Sequence, residues 1–257
     1  MDLTISTLAL EAFLLVVVRT ACFVAVAPIF AHKSINARLR VLIAVCISFT
    51  IYTAMDISIP EYQSVFGYTF LLIKEAAVGL MIGFVSSMVM AILIFAGEFI
   101  DREIGFTMST NFDPNTGAMV TISGDLYDKL VCLIIILTNL HHFILKAIAQ
   151  SFVVVPVGEV KINFTFMYTN VLVFIAEYFS IGFRIAMPIF LAATMLNIIL
   201  GVLAKSSPQM NMFAIGMQLK VLVGLFTFTI TILYIPNIAN YIMEKMQGMV
   251  MTVLGGL

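Results

Sequence analysis

The sequence predicts an all-α, polytopic integral membrane protein. Hydrophobic residues make up 62% of its 257 residues and charged residues only 11%, whereas a soluble domain is about half apolar and about a quarter charged. The mean hydropathy is +1.12, and the apolar residues form long runs of the kind that cross a bilayer as helices. Because a soluble core could not enclose this much apolar surface, we expect the helices to face lipid or other protein.

Three apolar runs occupy the N-terminal half, at residues 8–30, 41–55 and 65–97. The second run is shorter than the ~20 residues that span a hydrocarbon core, and the third is interrupted by Lys74 and Glu75. The connector 33–40 is basic, whereas the connector 56–61 carries only acidic charges.

Three further runs occupy the C-terminal half, at residues 130–155, 164–203 and 221–243. A polar, partly amphipathic segment precedes them at 98–129, and a Met-rich tail follows them. The run 164–203 is too long for one crossing. We expect two helices or one kinked helix there, because Gly182 and Pro188 lie inside it.

The charged connectors predict how the chain is oriented in the membrane. With six crossings, the positive-inside rule places the basic connectors 33–40 and 205–220 in the cytoplasm and both termini in the periplasm. Asp2 and Glu11 stand where a signal peptide has lysine or arginine, so we expect the first run to be retained.

No pattern in the sequence predicts a catalytic, cofactor or metal site. There is no phosphate-binding loop and no H-E-x-x-H motif, and adjacent His141 and His142 point about 100° apart on a helix, too divergent to share a metal. The stretch 113–117 resembles a calcium loop only at its start, so a turn is the better interpretation. A net charge of −1 gives no reason to expect nucleic acid. The three cysteines lack C-x-x-C spacing and are predicted to be small buried residues.

Five ionisable residues lie inside the apolar runs, namely Arg19, Lys74, Glu75, Glu177 and Arg184. A charge in such a run needs a partner or water, so these residues serve either as a proton relay or in structural pairing between helices, which we favour. Lys74 and Glu75 are adjacent and therefore need separate partners on different sides of one helix. The nearby G-x-x-x-G of Gly79 and Gly83 allows another helix backbone to approach closely.

The polar segment 98–129 also contains apolar side chains that a solvated loop does not need, namely Phe106, Met108, Phe112 and Met119. Flexible Met and Phe side chains can close a narrow opening and later move aside. A loop that lies on the surface and covers other helices is the alternative, and the sequence does not decide between them.

A polar, proline-marked stretch at 204–220 interrupts the apolar C-terminal half and is typical of a short cytoplasmic connector. Its residue order resembles the signature of the FliR family of flagellar export-gate proteins and of their injectisome relatives. The matching residues in this stretch are Lys205, Pro208, Gln209, Asn211, Phe213, Gly216 and Lys220. Matching residues elsewhere, in order, are Arg19, Pro28, Lys74, Glu75, Gly79, Gly83, Gly97, Glu98, Asp101, Gly105, Asp113, Pro114, Arg184, Pro188, Gly201 and Gly224. The sequence departs from the family pattern at Asn36, Asn197 and Gln218.

The resemblance implies a structural component of a type III export gate, and not an enzyme. In that family one FliR subunit joins several FliP and FliQ subunits in a closed helical spiral, much of it above the bilayer plane. It implies a FliP-like part at 1–200, a FliQ-like helical hairpin at 201–257, and a plug loop after Gly105 that includes Asp113 and Pro114.

The resemblance also implies a location and further partners. The expected location is the bacterial inner membrane at the flagellar basal body, with FlhB-like and FlhA-like proteins as neighbours and unfolded secreted proteins as cargo. A flagellar system is favoured over an injectisome. The alternative is a six-helix transporter or channel for small solutes, in which the buried charges would form the substrate path.

Overall fold

A computed structural model describes the residues in the ranges 7–32, 35–55, 57, 62, 64–106, 111–113, 118–160, 163–206 and 212–257. The helices within these ranges are α1 (Thr7–Val26), α2 (Ala37–Ala54), α3 (Val65–Ile104), α4 (Ile122–Leu137), α5 (His141–Val154), α6 (Phe164–Ser206), α7 (Met212–Ile232) and α8 (Ile235–Leu254). Two short strands, β1 (Asn111–Asp113) and β2 (Ala118–Val120), pair antiparallel.

The predicted class of polytopic, helical membrane protein is confirmed. Among the described residues, α1, α2, α3, α6 and α7 are each long and apolar enough to cross a membrane, and α4 with α5 would make a sixth crossing as one broken span. Among the described residues, the small β1–β2 hairpin is an addition to the all-α prediction, and it lies in the segment where turn chemistry is concentrated.

Two predicted segments differ from the structure at their boundaries. The polar segment 98–129 shortens to 105–121, because α3 continues to Ile104 and α4 begins at Ile122. The run 130–155 forms two helices, which a turn at Thr138–Leu140 separates. Asn139 adopts a φ of 59° in this turn, a left-handed conformation that asparagine tolerates better than most residues.

The last two apolar runs also differ from the helices of the structure. The first of them forms one helix, and the second is divided between two helices. The run 164–203 lies within α6, a single helix of 43 residues with Pro188 inside it. Proline is tolerated inside a membrane helix because neighbouring groups satisfy the backbone group that it leaves unpaired. The run 221–243 divides between α7 and α8. Pro236 lies in the first turn of α8, where its missing N–H would have no helical acceptor.

The cysteine prediction was wrong. Cys46 is exposed, and Cys22 and Cys132 are half-buried. Cys46 is exposed because it lies on α2, and only 17% of that apolar helix is buried by the rest of the chain.

The first of two compact units comprises Met1–Val89, Leu140–Phe174 and Met243–Leu257. Phe13 of α1 meets Tyr52 of α2 edge to face, with ring centroids 5.6 Å apart. The Tyr62 hydroxyl donates to the Glu11 carboxylate at 2.5 Å, and this hydrogen bond raises the pKa of Tyr62. The backbone N–H of Asn163 donates to the carbonyl of Gly256 at 3.0 Å, so the end of the chain is held against the start of α6.

The second unit comprises Met90–Asn139 and Ile175–Ile242. The C-terminal half of α3 is its centre. Gly224 of α7 lies against Ile104, because a Cβ on the glycine would come within 2.6 Å of that side chain. The hydroxyls of Tyr127 on α4 and Thr231 on α7 are 3.0 Å apart, and both residues are buried.

Candidate functional site

The first feature of the site is a buried ion pair between α1 and α3. Arg19 and Glu75 are each 0% exposed, and Nε of the arginine donates to Oε2 of the glutamate at 2.5 Å. Nη1 of Arg19 donates to the carbonyls of Ser151 at 3.0 Å and Val155 at 2.9 Å. The guanidinium carbon lies 4.4 Å from the ring centroid of Phe152. One guanidinium therefore joins α1, α3 and the end of α5.

Glu75 uses its second carboxylate oxygen to hold the turn that follows α5. Oε1 accepts the backbone N–H of Gly158 at 2.9 Å. Gly158 adopts a φ of 81°, a conformation open to glycine at little steric cost. A buried charge pair is tolerated when further hydrogen bonds satisfy both partners, and this carboxylate satisfies that condition.

The other three charges predicted to be buried are not enclosed by the chain. Lys74 is half-buried with Nζ 5.1 Å from the Phe70 ring centroid. Glu177 is half-buried on α6, and Arg184 is exposed there. Arg184 is therefore not enclosed within this single chain, and its burial against partner subunits stays a prediction.

The G-x-x-x-G motif does what its spacing predicts. A Cβ on Gly79 would lie 2.1 Å from the carbonyl oxygen of Arg19, and one on Gly83 would lie 3.0 Å from that of Phe23. The backbones of α1 and α3 therefore touch, and this contact brings Arg19 next to Glu75.

The second feature of the site is a clamp between the end of α3 and the start of α4. Asp101 is 0% exposed, and its Oδ2 accepts the backbone N–H of Ser123 at 3.1 Å. The Ser123 hydroxyl donates to the other carboxylate oxygen. A negative charge at a helix N-terminus is favourable because of the helix dipole. A Cβ on Gly97 would lie 2.1 Å from Cα of Gly124, so the two backbones are in contact.

The clamp closes the base of the loop at 105–121, where the family resemblance implies a plug. Gly105 ends α3 with a φ of 96°, and Phe106 after it is half-buried. Phe112 is paired with Met119 and Asp113 with Ala118, so the chain reverses between the strands, as its turn composition predicts. Met108 and Pro114 lie outside the described residues. The loop thus leaves and returns at one point.

The residues that carry the family resemblance near the C-terminus are spread over two helices. The predicted connector 204–220 narrows to 207–211, because α6 continues to Ser206 and α7 begins at Met212. Pro208, Gln209 and Asn211 lie outside the described residues, and Phe213 is in the first turn of α7. Lys220 is half-buried and Gly216 is buried, whereas two family residues earlier in the chain, Glu98 on α3 and Pro188 on α6, are exposed.

The sequence did not predict an aromatic cluster in the second unit. Phe95 lies among Tyr178, Phe179 and Phe183, with ring centroids 5.2–5.7 Å away. A Cβ on Gly182 would lie 2.4 Å from Cδ1 of Phe95. Gly182 is therefore a notch for an aromatic ring and not the helix break that we expected. The available signal was that Tyr178, Phe179 and Phe183 lie close to Gly182 in the sequence.

In the described part of the chain, no group of three or more His, Cys, Asp or Glu residues is placed so that it could hold a metal ion. His141 and His142 have ring centroids 4.4 Å apart at the start of α5. The buried polar groups described above hold helices and a loop in place.

Most of the chain matches a known family. The model for bacterial export proteins, family 1, covers residues 10–246. The chain belongs to this family. The resemblance to FliR proteins that the sequence motifs indicated is therefore confirmed, and it extends over nearly all of the chain.

Individual relatives agree with the family match. The flagellar biosynthetic protein FliR of Bacillus subtilis (strain 168) is 29% identical over 93% of this chain and 94% of its own length. The protein of the same name from Aquifex aeolicus (strain VF5) is 30% identical over 90% and 89%. The surface presentation of antigens protein SpaR of Shigella flexneri is 25% identical over 77% and 76%.

Proposed function

We propose that this chain is a structural component of a flagellar type III export gate, and that it helps to form the closed channel through which unfolded proteins pass. The observation that carries this proposal is the clamped loop. Asp101, Ser123 and the contact between Gly97 and Gly124 fix both ends of the loop, while its middle contains Met and Phe residues. A loop that is held at its base can block a passage and move aside without unfolding the helices.

The exposed apolar surface indicates partners. Met195, Ile198 and Val202 of α6 are 65%, 63% and 66% exposed. At about 1.5 Å per residue, this helix of 43 residues is about 64 Å long. Because a hydrocarbon core is only about 30 Å thick, lipid cannot cover the whole of α6. We propose that FliP-like and FliQ-like subunits cover the remainder in a spiral assembly, with FlhB-like and FlhA-like proteins nearby.

The proposed location is the bacterial inner membrane at the flagellar basal body. The division into a FliP-like part at 1–200 and a FliQ-like hairpin at 201–257 is part of the same proposal. The two compact units each combine segments from both parts.

The buried charges favour this function over solute transport. Three charged residues are buried among the described residues. Arg19 and Glu75 neutralise each other, and Asp101 binds the start of α4. These groups are occupied by structural partners and do not form a series along which a solute or proton could pass. We therefore assign the chain a structural, non-enzymatic role.

Deletion of the gene in its own host tests the proposal. We expect export of flagellar proteins into the medium to stop and to return when the chain is supplied again. A tagged copy should co-purify with FliP-like and FliQ-like subunits in native mass spectrometry. Export at the parental level in the deletion strain would show that the chain is not a gate component.

A further inference from the structure

The outward face of α2 is an apolar stripe that begins with a single arginine. Leu42, Val45 and Phe49 are 58%, 37% and 61% exposed, and Arg38 is exposed one turn before Leu42. These four residues recur every three or four positions, so they lie on one side of the helix. We call them the α2 stripe. The residues of α2 that the chain buries lie on the other side of the helix.

The length and the hydrogen bonding of α2 suit a hydrocarbon environment. Its 18 residues span about 27 Å at about 1.5 Å per residue, close to the thickness of about 30 Å of a hydrocarbon core. The exposed hydroxyls of Thr50 and Thr53 donate to the carbonyls of Cys46 and Phe49, each at 2.9 Å. These hydroxyls therefore need no water. From Val41 to Ala54 the helix carries no charge.

The charges around the start of α2 favour an anionic partner. The sequence has no aspartate or glutamate from residue 12 to residue 55. Apart from Arg19, which Glu75 neutralises, the positive charges in this range are Lys33, Arg38 and Arg40. All three precede the uncharged part of α2. Lysine and arginine residues next to a membrane helix attract anionic lipid headgroups.

The two arginines of α2 have different surroundings. Arg40 is half-buried, and its Nη2 donates to the carbonyls of Ala31 and His32, each at 3.1 Å. It therefore holds the chain that precedes α2. Arg38 is exposed, and no described residue pairs with its guanidinium. A guanidinium binds a phosphate through two parallel hydrogen bonds, so Arg38 is the group available to bind one.

The place of Arg38 on its helix favours lipid over a partner helix. Arg38 is the second residue of α2, and the ends of a crossing helix lie near the headgroups. Arg184, by contrast, lies near the middle of α6, where a charge faces hydrocarbon unless protein or water covers it. A phospholipid joins a negative phosphate to hydrocarbon chains. The α2 stripe presents the complementary order, an arginine followed by apolar side chains.

We propose that the α2 stripe is a binding site for an anionic phospholipid. Arg38 binds the headgroup phosphate, and the acyl chains lie along Leu42, Val45 and Phe49. This inference does not depend on the proposed export function, because it requires only that α2 crosses a membrane. A helix of another subunit is the competing occupant.

Site-specific photocrosslinking tests the occupant in the assembled complex. A photoreactive residue replaces Leu42, and the complex is placed in bilayer discs that contain equal amounts of phosphatidylglycerol and phosphatidylcholine. We expect mass spectrometry to find crosslinks to phosphatidylglycerol several-fold above those to phosphatidylcholine. Crosslinks mainly to another protein subunit, or equal yields from the two lipids, would overturn the proposal.

Variants of one charge identify the group that selects the lipid. Arg38→Gln should remove the preference for phosphatidylglycerol, and Arg38→Lys should keep most of it because the charge remains. Arg102→Gln is the matched control, since Arg102 is an exposed arginine in the last turn of α3, and it should leave the preference unchanged. An undiminished preference in Arg38→Gln complexes would contradict the proposal.

The comparison of the two lipids in the parental complex needs no variant of Arg38, so the proposal is tested even if Arg38→Gln complexes fail to assemble. It is also separable from the proposed function. If deletion of the gene stops export but the two lipids crosslink equally, the lipid site alone fails. If export continues without the chain but phosphatidylglycerol is preferred, the gate function alone fails.

Discussion

Arg19 is the largest fully buried side chain among the described residues, and its environment explains how a guanidinium is accommodated there. The Glu75 carboxylate neutralises it, and two backbone carbonyls accept from Nη1. Charge-assisted hydrogen bonds of this kind are roughly twice as strong as neutral ones. Removing one partner leaves the other as an uncompensated buried charge.

Glu75→Gln should therefore strongly destabilise the first unit. Breaking a buried ion pair destabilises a protein by about 3–5 kcal/mol, and the backbone N–H of Gly158 also loses its charged acceptor. The measurement is the melting temperature and yield of the purified complex.

An exposed ion pair provides the control for that experiment. Nζ of Lys129 and Oδ2 of Asp125 are 2.6 Å apart, and the two side chains are 63% and 32% exposed. Exposed ion pairs of this kind contribute about 0–1 kcal/mol to the free energy of unfolding. Lys129→Ala should change the melting temperature little. The double variant Arg19→Met with Glu75→Leu should recover part of the loss, because it removes both charges. Equal losses from Glu75→Gln and Lys129→Ala would contradict a buried structural pair.

The sequence identified Arg19 and Glu75 as charges that need partners, but it could not identify those partners. Three of the groups that bind them are backbone atoms of Ser151, Val155 and Gly158, and backbone groups have no sequence signature. Arg184 could not be distinguished from Arg19 by composition alone, because both lie in apolar runs.

At the scale of elements, the close approach of α1 and α3 depends on glycine. Gly79→Ala should destabilise the first unit by about 1–3 kcal/mol, the usual effect of overpacking, because its Cβ would lie 2.1 Å from a carbonyl oxygen. Gly248→Ala is the matched control, since nothing lies within 4 Å of its Cβ. It should be neutral or stabilise α8 by up to about 1 kcal/mol. The melting temperatures of the two variants should therefore move apart, and equal shifts would disprove the contact.

The clamp at the base of the loop gives a second prediction at this scale. Asp101→Ala removes the acceptor of both Ser123 donors, and leaving a buried donor unsatisfied is unfavourable by about 1–3 kcal/mol. We expect faster hydrogen exchange in the first turn of α4, while α8 exchanges as before. Unchanged exchange around Ser123 would show that Asp101 does not hold this end of the loop.

The presence of helices could be predicted from the long apolar runs, but the residues at which several helices begin or end could not. The polar residues Glu98 and Asp101 suggested a loop, yet both lie on α3, where Asp101 is buried by α4. The break at Asn139 depends on a single left-handed residue. Pro188 left two helices or one kinked helix as alternatives, and the structure has one helix. For Asp101 a tertiary contact with α4 determines the result.

At the scale of the whole molecule, the exposed apolar helices indicate that the chain is one part of an assembly. We expect the chain expressed alone to be poorly stable, and to be stabilised by co-expression with FliP-like and FliQ-like subunits. Native mass spectrometry of both extracts measures this. A stable, monodisperse chain without partners would contradict the prediction and favour an independent transporter.

The loop at 105–121 provides the most direct test of gating in the assembled complex. Shortening it between Phe106 and Val120 removes the β1–β2 hairpin but leaves Asp101 bound to Ser123, so the helices should still pack and assemble. Without the loop's apolar side chains, water and ions should no longer be excluded from a narrow passage. Ion conductance of the complex, and the salt sensitivity of cells that express it, should rise above those of the parent. The Asp101→Ala variant should have a smaller effect in the same direction, because its loop is loosened and not removed. A shortened variant that assembles fully and conducts no more than the parent would show that the loop is not a seal.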